Sequence, residues 1–274
     1  MFEIFAYEFL RNALIAGILA SIICGIAGTF VIVKKMVSLS GGISHAAFGG
    51  IGIGYFFGFE PIAGAALFSL ATAGGINYIR KKAGENLDTL VGAVWAGGMA
   101  LGVMLVYMSP GYAPGLMTYL FGNILLVPMS DIILTGVLTV AVIITVAFFF
   151  SQLVAVTFDE EYATVMNLNT DRFMLLLLCI IALTVVVLIQ IVGIILVIAL
   201  LTLPAAIAHR YASDIKIMMI ISAVLGAVFT VTGILISYYL DVPSGAAIIL
   251  LSSAAYLGVI AKKSLTDERT HSSW

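Results

Sequence analysis

The run Phe173-Met-Leu-Leu-Leu-Leu-Cys-Ile-Ile-Ala-Leu-Thr-Val-Val-Val-Leu-Ile189 decides the fold, because it contains no charge and no alternation of apolar with polar residues. A helix needs about 20 mostly apolar residues to cross roughly 30 Å of hydrocarbon. A barrel strand would instead alternate over about ten residues. Lipid offers no hydrogen bonds to an open backbone, so the run predicts a membrane-spanning α-helix.

The composition extends this prediction to the whole chain. Of 274 residues, 62% are hydrophobic and 9% are charged, whereas soluble domains carry about 25% charged residues. We therefore expect an all-α, polytopic membrane bundle that forms a single transmembrane domain over residues 1–274. The net charge of −2 argues against a nucleic-acid partner.

Short polar breaks divide the chain into about nine predicted spans. These are 13–33, 42–58, 61–79, 89–108, 131–151, 172–190, 191–208, 216–237 and 244–261. If the chain does not reverse at Gln190 to Gly193, the number falls to eight. Proline and glycine interrupt 110–130, which predicts a short outside-facing or re-entrant helix covered by protein.

The basic residues predict the orientation, because short cytoplasmic loops are rich in lysine and arginine. Nine spans place eleven of the twelve on one side: Lys34, Lys35, Arg80, Lys81, Lys82, Arg172, Arg210, Lys216, Lys262, Lys263 and Arg269. Only Arg11 lies on the other side. The N-terminus is then outside, and residues 262–274 form a cytoplasmic tail, for which we expect disorder.

His45 is the most informative polar residue within a predicted span. Counted from Lys35 along a continuous helix, it lies roughly 15 Å deep. It flanks a face of small residues, Gly42, Ala46, Gly50 and Gly54, against which another helix can pack closely. Two interpretations stay open: a histidine hydrogen-bonded between helices, or a transient ligand for a transition metal on its way across the membrane. For His209, beside Arg210, a position at the cytoplasmic boundary is favoured.

The segment 158–170 is a predicted cytoplasmic loop that contains a short helix. Asp159 is a candidate N-cap, and Glu160 and Glu161 complement the positive end of the helix. Ala163, Val165, Met166 and Leu168 give it an apolar side. The segment is either a solvated connector or a surface for a soluble partner.

The chain lacks a GxxxxGK[ST] loop and an HExxH motif. We therefore predict a non-catalytic membrane subunit, and any ATP hydrolysis would belong to another polypeptide.

Six segments in order resemble the membrane permease subunit of the zinc/manganese ABC transporter family. The first is Lys34-Lys-Met-Val-Ser-Leu-Ser-Gly-Gly-Ile-Ser-His-Ala46, and the others are 88–102, 119–125, 158–163, 192–206 and 240–245. Each segment is weak alone, but together they extend over nearly the whole chain in the family order.

The resemblance implies a homodimeric permease in a prokaryotic plasma membrane, with two cytoplasmic ATP-binding subunits and an extracytoplasmic metal-binding protein. It implies transport of Zn²⁺ or Mn²⁺, with Fe²⁺ as an alternative, and no permanently bound cofactor. The family's coupling helix falls on Asp159 to Leu168. The implied ATPase-coupling residues are Asp159, Glu160, Glu161, Tyr162, Ala163 and Met166.

The chain departs from the family at the metal path. The family often has Asp four residues before the histidine that corresponds to His45, on the same helix face, and this position is Gly41 here. His45 is therefore the one metal-pathway residue that the resemblance carries over. Other carboxylates that could substitute lie near the predicted membrane surfaces: Asp88, Glu60, Asp131 and Asp241.

Two alternatives differ in mechanism or cargo. One is a secondary transporter or channel without an ATPase, in which His45 relays protons. The other is an ABC permease for an iron chelate or cobalamin, which would generally have about ten spans. A co-purifying ATPase and a mapped topology would distinguish them.

Overall fold

The computed structural model describes residues 7–83, 87–109, 119–120 and 122–271. These ranges contain ten α-helices and no β-strand, which confirms the predicted all-α fold. The helices are α1 (Glu8–Val33), α2 (Val37–Phe57), α3 (Pro61–Ala83), α4 (Leu87–Met108), α5 (Met129–Phe148), α6 (Phe150–Phe158), α7 (Glu160–Val165), α8 (Thr170–Ala208), α9 (Ile215–Leu240) and α10 (Ser244–His271).

Seven of these helices are long and apolar enough to cross a membrane: α1, α3, α4, α5, α8, α9 and α10. α2 has 21 residues and is also long enough, but its glycines and serines make it less apolar. α1 and α8 bury 67% and 72% of their most apolar windows, against 17% to 33% in the other five. α1 and α8 are therefore the centre of the bundle.

The 39 residues of α8 would extend about 58 Å if the helix were straight, which is nearly twice the thickness of the hydrocarbon. Near its start, the backbone carbonyl of Asp171 accepts a hydrogen bond from Asn77 of α3. Near its end, Ala205 and Ala208 pack with residues from the last turn of α1. Both ends of α8 thus lie at the end of the bundle that holds Lys34 and Arg80, which we call the basic end.

The chain reverses at Gly193, which has φ 76° and ψ 162° inside α8. This backbone conformation is essentially restricted to glycine. Gln190, just before it, lines a cleft with Glu60 and Asp131 at the opposite end of the bundle. These contacts support two crossings over 172–190 and 191–208, and the total of nine spans stays a prediction.

Two predictions need correction, and a third lies partly outside the described residues. The span 131–151 is interrupted at Phe149 (φ −103°, ψ 20°), where α5 ends and α6 begins. The last helix continues through His271 rather than ending at 261, so the predicted disordered tail is largely helical. Of the segment 110–130, residues 110–118 and 121 lie outside the described residues; the described part contains a 3₁₀ turn over Ile124–Leu126, with Ile124 buried.

Candidate functional site

The turn between α1 and α2 sets the depth of His45. Lys35 has a positive φ of 58°, and α2 begins only at Val37. His45 therefore lies about 12 Å from the start of the helix. This is shallower than the roughly 15 Å expected for a helix continuous from Lys35, and it still places the imidazole well inside the bundle.

The small residues of α2 pack against two helices rather than one. A Cβ added at Gly42 would lie 2.6 Å from Val91 of α4, and Ala46 lies against Gly98 of the same helix. Gly50 and Gly54 instead face α3, where added Cβ atoms would collide with the backbone at Gly64 and Pro61. The predicted single face is thus shared between α4 and α3, and both helices come close enough to fix the orientation of α2.

The imidazole of His45 stacks on the indole of Trp95 from α4. The ring centroids are 4.2 Å apart and the planes differ by 9°. His45 is half-buried, and its Nδ1 is buried with no hydrogen-bond partner among the described residues. Nδ1 therefore makes no hydrogen bond between helices among the described residues.

Trp95 also lies against Gly41. A Cβ added at Gly41 would meet one neighbouring atom within 4 Å, Cζ3 of Trp95, at 3.7 Å. A Cβ at position 41 would thus be in ordinary van der Waals contact with the indole, which borders the space that a longer side chain would enter. In the sequence, Trp95 falls within the segment 88–102, where a single large aromatic residue among glycines and alanines is the available signal.

The other candidate carboxylates do not approach His45. Glu60 and Asp131 line one open cleft of about 680 Å³ at the end of the bundle opposite the basic end. Glu60 comes after the end of α2, and His45 lies 12 residues, or about 18 Å, before that end. Asp88 is exposed at the start of α4, and Asp241 ends α9. Among the described residues, no group of three or more His, Cys, Asp and Glu side chains could hold a metal ion.

The second candidate region is α7, which lies at the basic end. Asp159 is its N-cap, and its side chain accepts a hydrogen bond from the backbone N–H of Tyr162 at 2.9 Å, as predicted. The helix ends at Val165, and Asn167 has a positive φ of 59°. It is therefore shorter than the Asp159 to Leu168 helix expected from the resemblance.

Glu160 attaches α7 to two helices of the bundle. Arg80 Nη1 of α3 donates to Glu160 Oε1 and Oε2 at 2.7 and 2.9 Å, and Lys34 Nζ lies 2.8 Å from Oε1. Lys34 also donates to the backbone carbonyl of Val156 in α6 at 2.8 Å. Burial alone would raise the pKa of Glu160, but these hydrogen bonds and the two positive charges outweigh it and hold the pKa below its usual range.

The predicted apolar side of this segment is divided. Ala163 is buried and Leu168 packs against the core, so both hold the segment to its own chain. Tyr162, Val165 and Met166 are instead 59%, 78% and 59% exposed. They form an uncovered apolar surface, which we call the α7 surface. Lys34 and Arg80 served the sequence analysis only as markers of orientation, and their pairing with Glu160 was missed.

The model of the ABC 3 transport family matches residues 6–263. An uncharacterized membrane protein of Synechocystis is 45% identical over 94% of this chain and 92% of its own length. The manganese transport system membrane protein MntC of Listeria monocytogenes is 34% identical over 91% of this chain and 89% of its own length.

A solved structure also superposes on the described fold. PsaBC from Streptococcus pneumoniae, determined in complex with Fab, matches with a TM-score of 0.83 and 34% identity. The match covers 92% of this chain and 90% of the matched chain.

Proposed function

We propose, from the premise that this chain belongs to the ABC 3 transport family, that it is the membrane permease subunit of an ATP-driven importer of a divalent transition metal. The observation that carries the proposal is the α7 surface. A short helix outside the bundle, bonded to α1 and α3 through Glu160, presents exposed apolar side chains to a soluble partner. Family membership favours this function over a secondary transporter or channel.

The orientation follows from the same region. Lys34 and Arg80 meet Glu160 at the basic end, and the positive-inside rule assigns such an end to the cytoplasm. α7 then faces the cytoplasm, where two ATP-binding subunits would dock, and the N-terminus lies outside. The open cleft with Glu60 and Asp131 faces the extracytoplasmic side, where a metal-binding protein would deliver its cargo.

A second copy of the chain is the partner that we propose for the outer face of α4. The outward residues of α5 are large: Ile133, Val137, Val140, Ile144 and Phe148. Apart from Trp95, the outward residues of α4 between Gly92 and Ala100 are small: Gly92, Ala93, Ala96, Gly97 and Ala100. Small residues allow close helix contact in membranes, whereas large aliphatic residues suit lipid. This difference supports a homodimer that forms through α4.

The position of His45 supports the same dimer. His45 is half-buried and Trp95 is 41% exposed on this side of the protomer. A polar imidazole at this depth is costly against lipid and normally faces a protein interior or a water-filled cavity. In a two-fold dimer both copies contribute the same residues, so two His45 side chains would line one path.

The transport cycle then uses two parts of each chain. The metal ion is the cargo, and it enters from the side of the Glu60 cleft and passes between the two His45 imidazoles. ATP-driven closure of the partner subunits pulls on the α7 surface. Glu160 transmits this movement to α1 and α3 through Lys34 and Arg80, and α1 is joined to α2 by the turn at Lys34 to Met36.

The experiment removes the α7 surface by the double substitution Tyr162→Ala and Met166→Ala. The matched control is Tyr239→Ala with Leu240→Ala, two large side chains that are 65% and 67% exposed at the end of α9, which is not part of the proposed dimer face. Both variants are reconstituted in proteoliposomes with the ATP-binding subunits and assayed with the metal-binding protein. Loss of two exposed anchors should weaken co-purification of the ATPase and lower ATP-dependent metal uptake about tenfold or more, while the control stays near wild type.

Unchanged uptake and unchanged ATPase association in the Tyr162 and Met166 variant would contradict the proposed partner surface. Metal uptake by the chain alone, without ATP or ATPase, would instead support the secondary transporter.

A further inference from the structure

We infer that the path at His45 selects metals that accept imidazole nitrogen, with Zn²⁺ as the representative, and disfavours Mn²⁺, because Gly41 supplies no carboxylate beside His45 and Trp95 borders the space that a side chain at position 41 would enter. The inference rests on the proposed function and specifies its cargo. It makes position 41, which Trp95 borders, the specificity-determining position.

Three side chains define the site. Gly41 and His45 are four residues apart on α2 and therefore share one face of the helix. Trp95 of α4 covers both, with Cζ3 3.7 Å from the Cβ position of residue 41 and the indole stacked on the imidazole at 4.2 Å. The indole therefore borders the space that an oxygen ligand attached at position 41 would enter.

The stacking contact also orients the imidazole while it leaves the ring nitrogens available for an ion. Its near-parallel contact with Trp95 fixes the ring orientation without using either ring nitrogen. Nδ1 is buried and has no hydrogen-bond partner among the described residues. A buried nitrogen with no partner is costly unless a ligand or solvent satisfies it in another state of the cycle.

No carboxylate in the described residues supplies the missing oxygen ligand at this depth. Asp88 is exposed on α4 seven residues before Trp95, about 10 Å along the helix axis. Glu60 and Asp131 lie together in the distant cleft. The ligands that the site offers are therefore nitrogens, with two imidazoles in the proposed dimer.

The type of ligand at this site predicts which metal it prefers. Imidazole suits Zn²⁺, whereas carboxylate, carbonyl and water suit Mn²⁺, and nitrogen ligands also bind Zn²⁺ more tightly than Mn²⁺ in the general order of divalent metals. Relatives named for manganese transport therefore do not fix the cargo of this chain.

The first test measures uptake of ⁶⁵Zn²⁺ and ⁵⁴Mn²⁺ by the complete wild-type complex in proteoliposomes. We expect uptake at equal metal concentrations to favour Zn²⁺ by about tenfold or more. Equal uptake or a preference for Mn²⁺ would overturn the inference while leaving the proposed function intact. Uptake of neither metal would count against the proposed function itself.

The second test changes the ligand set. The double substitution Gly41→Asp and Trp95→Ala supplies a carboxylate and removes the indole, and it should lower the Zn²⁺ to Mn²⁺ ratio at least about fivefold. The matched control is Trp95→Ala alone, which should keep the wild-type ratio. A double variant with an unchanged ratio, or a control that shifts equally, would overturn the role of position 41.

A binding measurement on the purified variants keeps the test decisive if transport is lost. Competition of each metal with a chelating dye should show Mn²⁺ binding gained only in the double variant. Mn²⁺ binding that is as tight in wild type would contradict the inference.

Discussion

His45 and Glu160 are both partly buried polar residues, and their surroundings are opposite. Glu160 accepts hydrogen bonds from Arg80 and forms an ion pair with Lys34 at distances of 2.7 to 2.9 Å. His45 contacts a ring face and leaves Nδ1 without a partner among the described residues. A paired group fixes the position of the elements that it joins, whereas an unpaired one stays available for a ligand.

The two groups also differ in their distance from solvent. Glu160 lies at the end of the bundle, where a partly buried carboxylate keeps its charge because two cations face it. His45 lies inside α2 among glycines, alanines and serines, where a polar group marks a functional path more often than a structural contact. We therefore propose a positioning role for Glu160 and a role in contacting the cargo for His45.

The largest effect expected from this comparison is that of His45→Ala. Removing the one ligand candidate on the path should lower metal uptake about tenfold or more. The thermal midpoint of the purified protein should hardly change, because no hydrogen bond is lost. His209→Ala is the matched control, since His209 is exposed at the end of α8. Metal uptake at the wild-type level in the His45→Ala variant would show that His45 serves only in packing.

A smaller effect is expected for Glu160→Gln, which keeps the shape and removes the charge. Lys34 and Arg80 are then left facing a neutral group, and charged hydrogen bonds contribute about 1.5–3 kcal/mol each. We expect a decrease of about 5 °C in the thermal midpoint and weaker coupling of ATP hydrolysis to uptake. Glu161→Gln, an exposed neighbour, should leave the midpoint unchanged. Equal midpoints in the two variants would contradict the positioning role.

The smallest expected effect is a pH dependence of the difference in thermal midpoint between wild type and Glu160→Gln. The pKa of Glu160 is lower in the folded protein than in the unfolded chain, so its stabilising contribution is present above the usual glutamate pKa of about 4.3. It is lost as the pH falls through the lowered value. The difference in thermal midpoint between wild type and Glu160→Gln should therefore shrink by about 2 °C between neutral and acidic pH. A constant difference would show that the charge of Glu160 does not stabilise α7.

The helices were largely predictable because their signal is local. Apolar length and the basic residues at the ends of α1 and α3 located the spans to within several residues, and the side chain of Asp159 caps α7 as its residue type suggests. The break at Phe149 had no comparable signal, since the sequence is continuously apolar there.

The site was less predictable because its contacts join distant segments. Glu160 and Arg80 are 80 positions apart, and nothing in the segment 158–170 indicates which basic residue it meets. Likewise, a pattern of glycines in α2 predicts close packing. It does not indicate that Gly42 packs against α4 while Gly50 and Gly54 pack against α3.

The sequence by itself determined the membrane class, the approximate spans, the cap of α7 and the isolation of His45 from a carboxylate at Gly41. These properties depend on residue type and local spacing. Only the tertiary structure decided that Trp95 covers Gly41 and His45, that Glu160 faces inward to Lys34 and Arg80, and that both ends of α8 lie at the basic end. The physical reason is that the rotation and register of one helix against another follow from side-chain packing between segments, which a periodic sequence pattern does not specify.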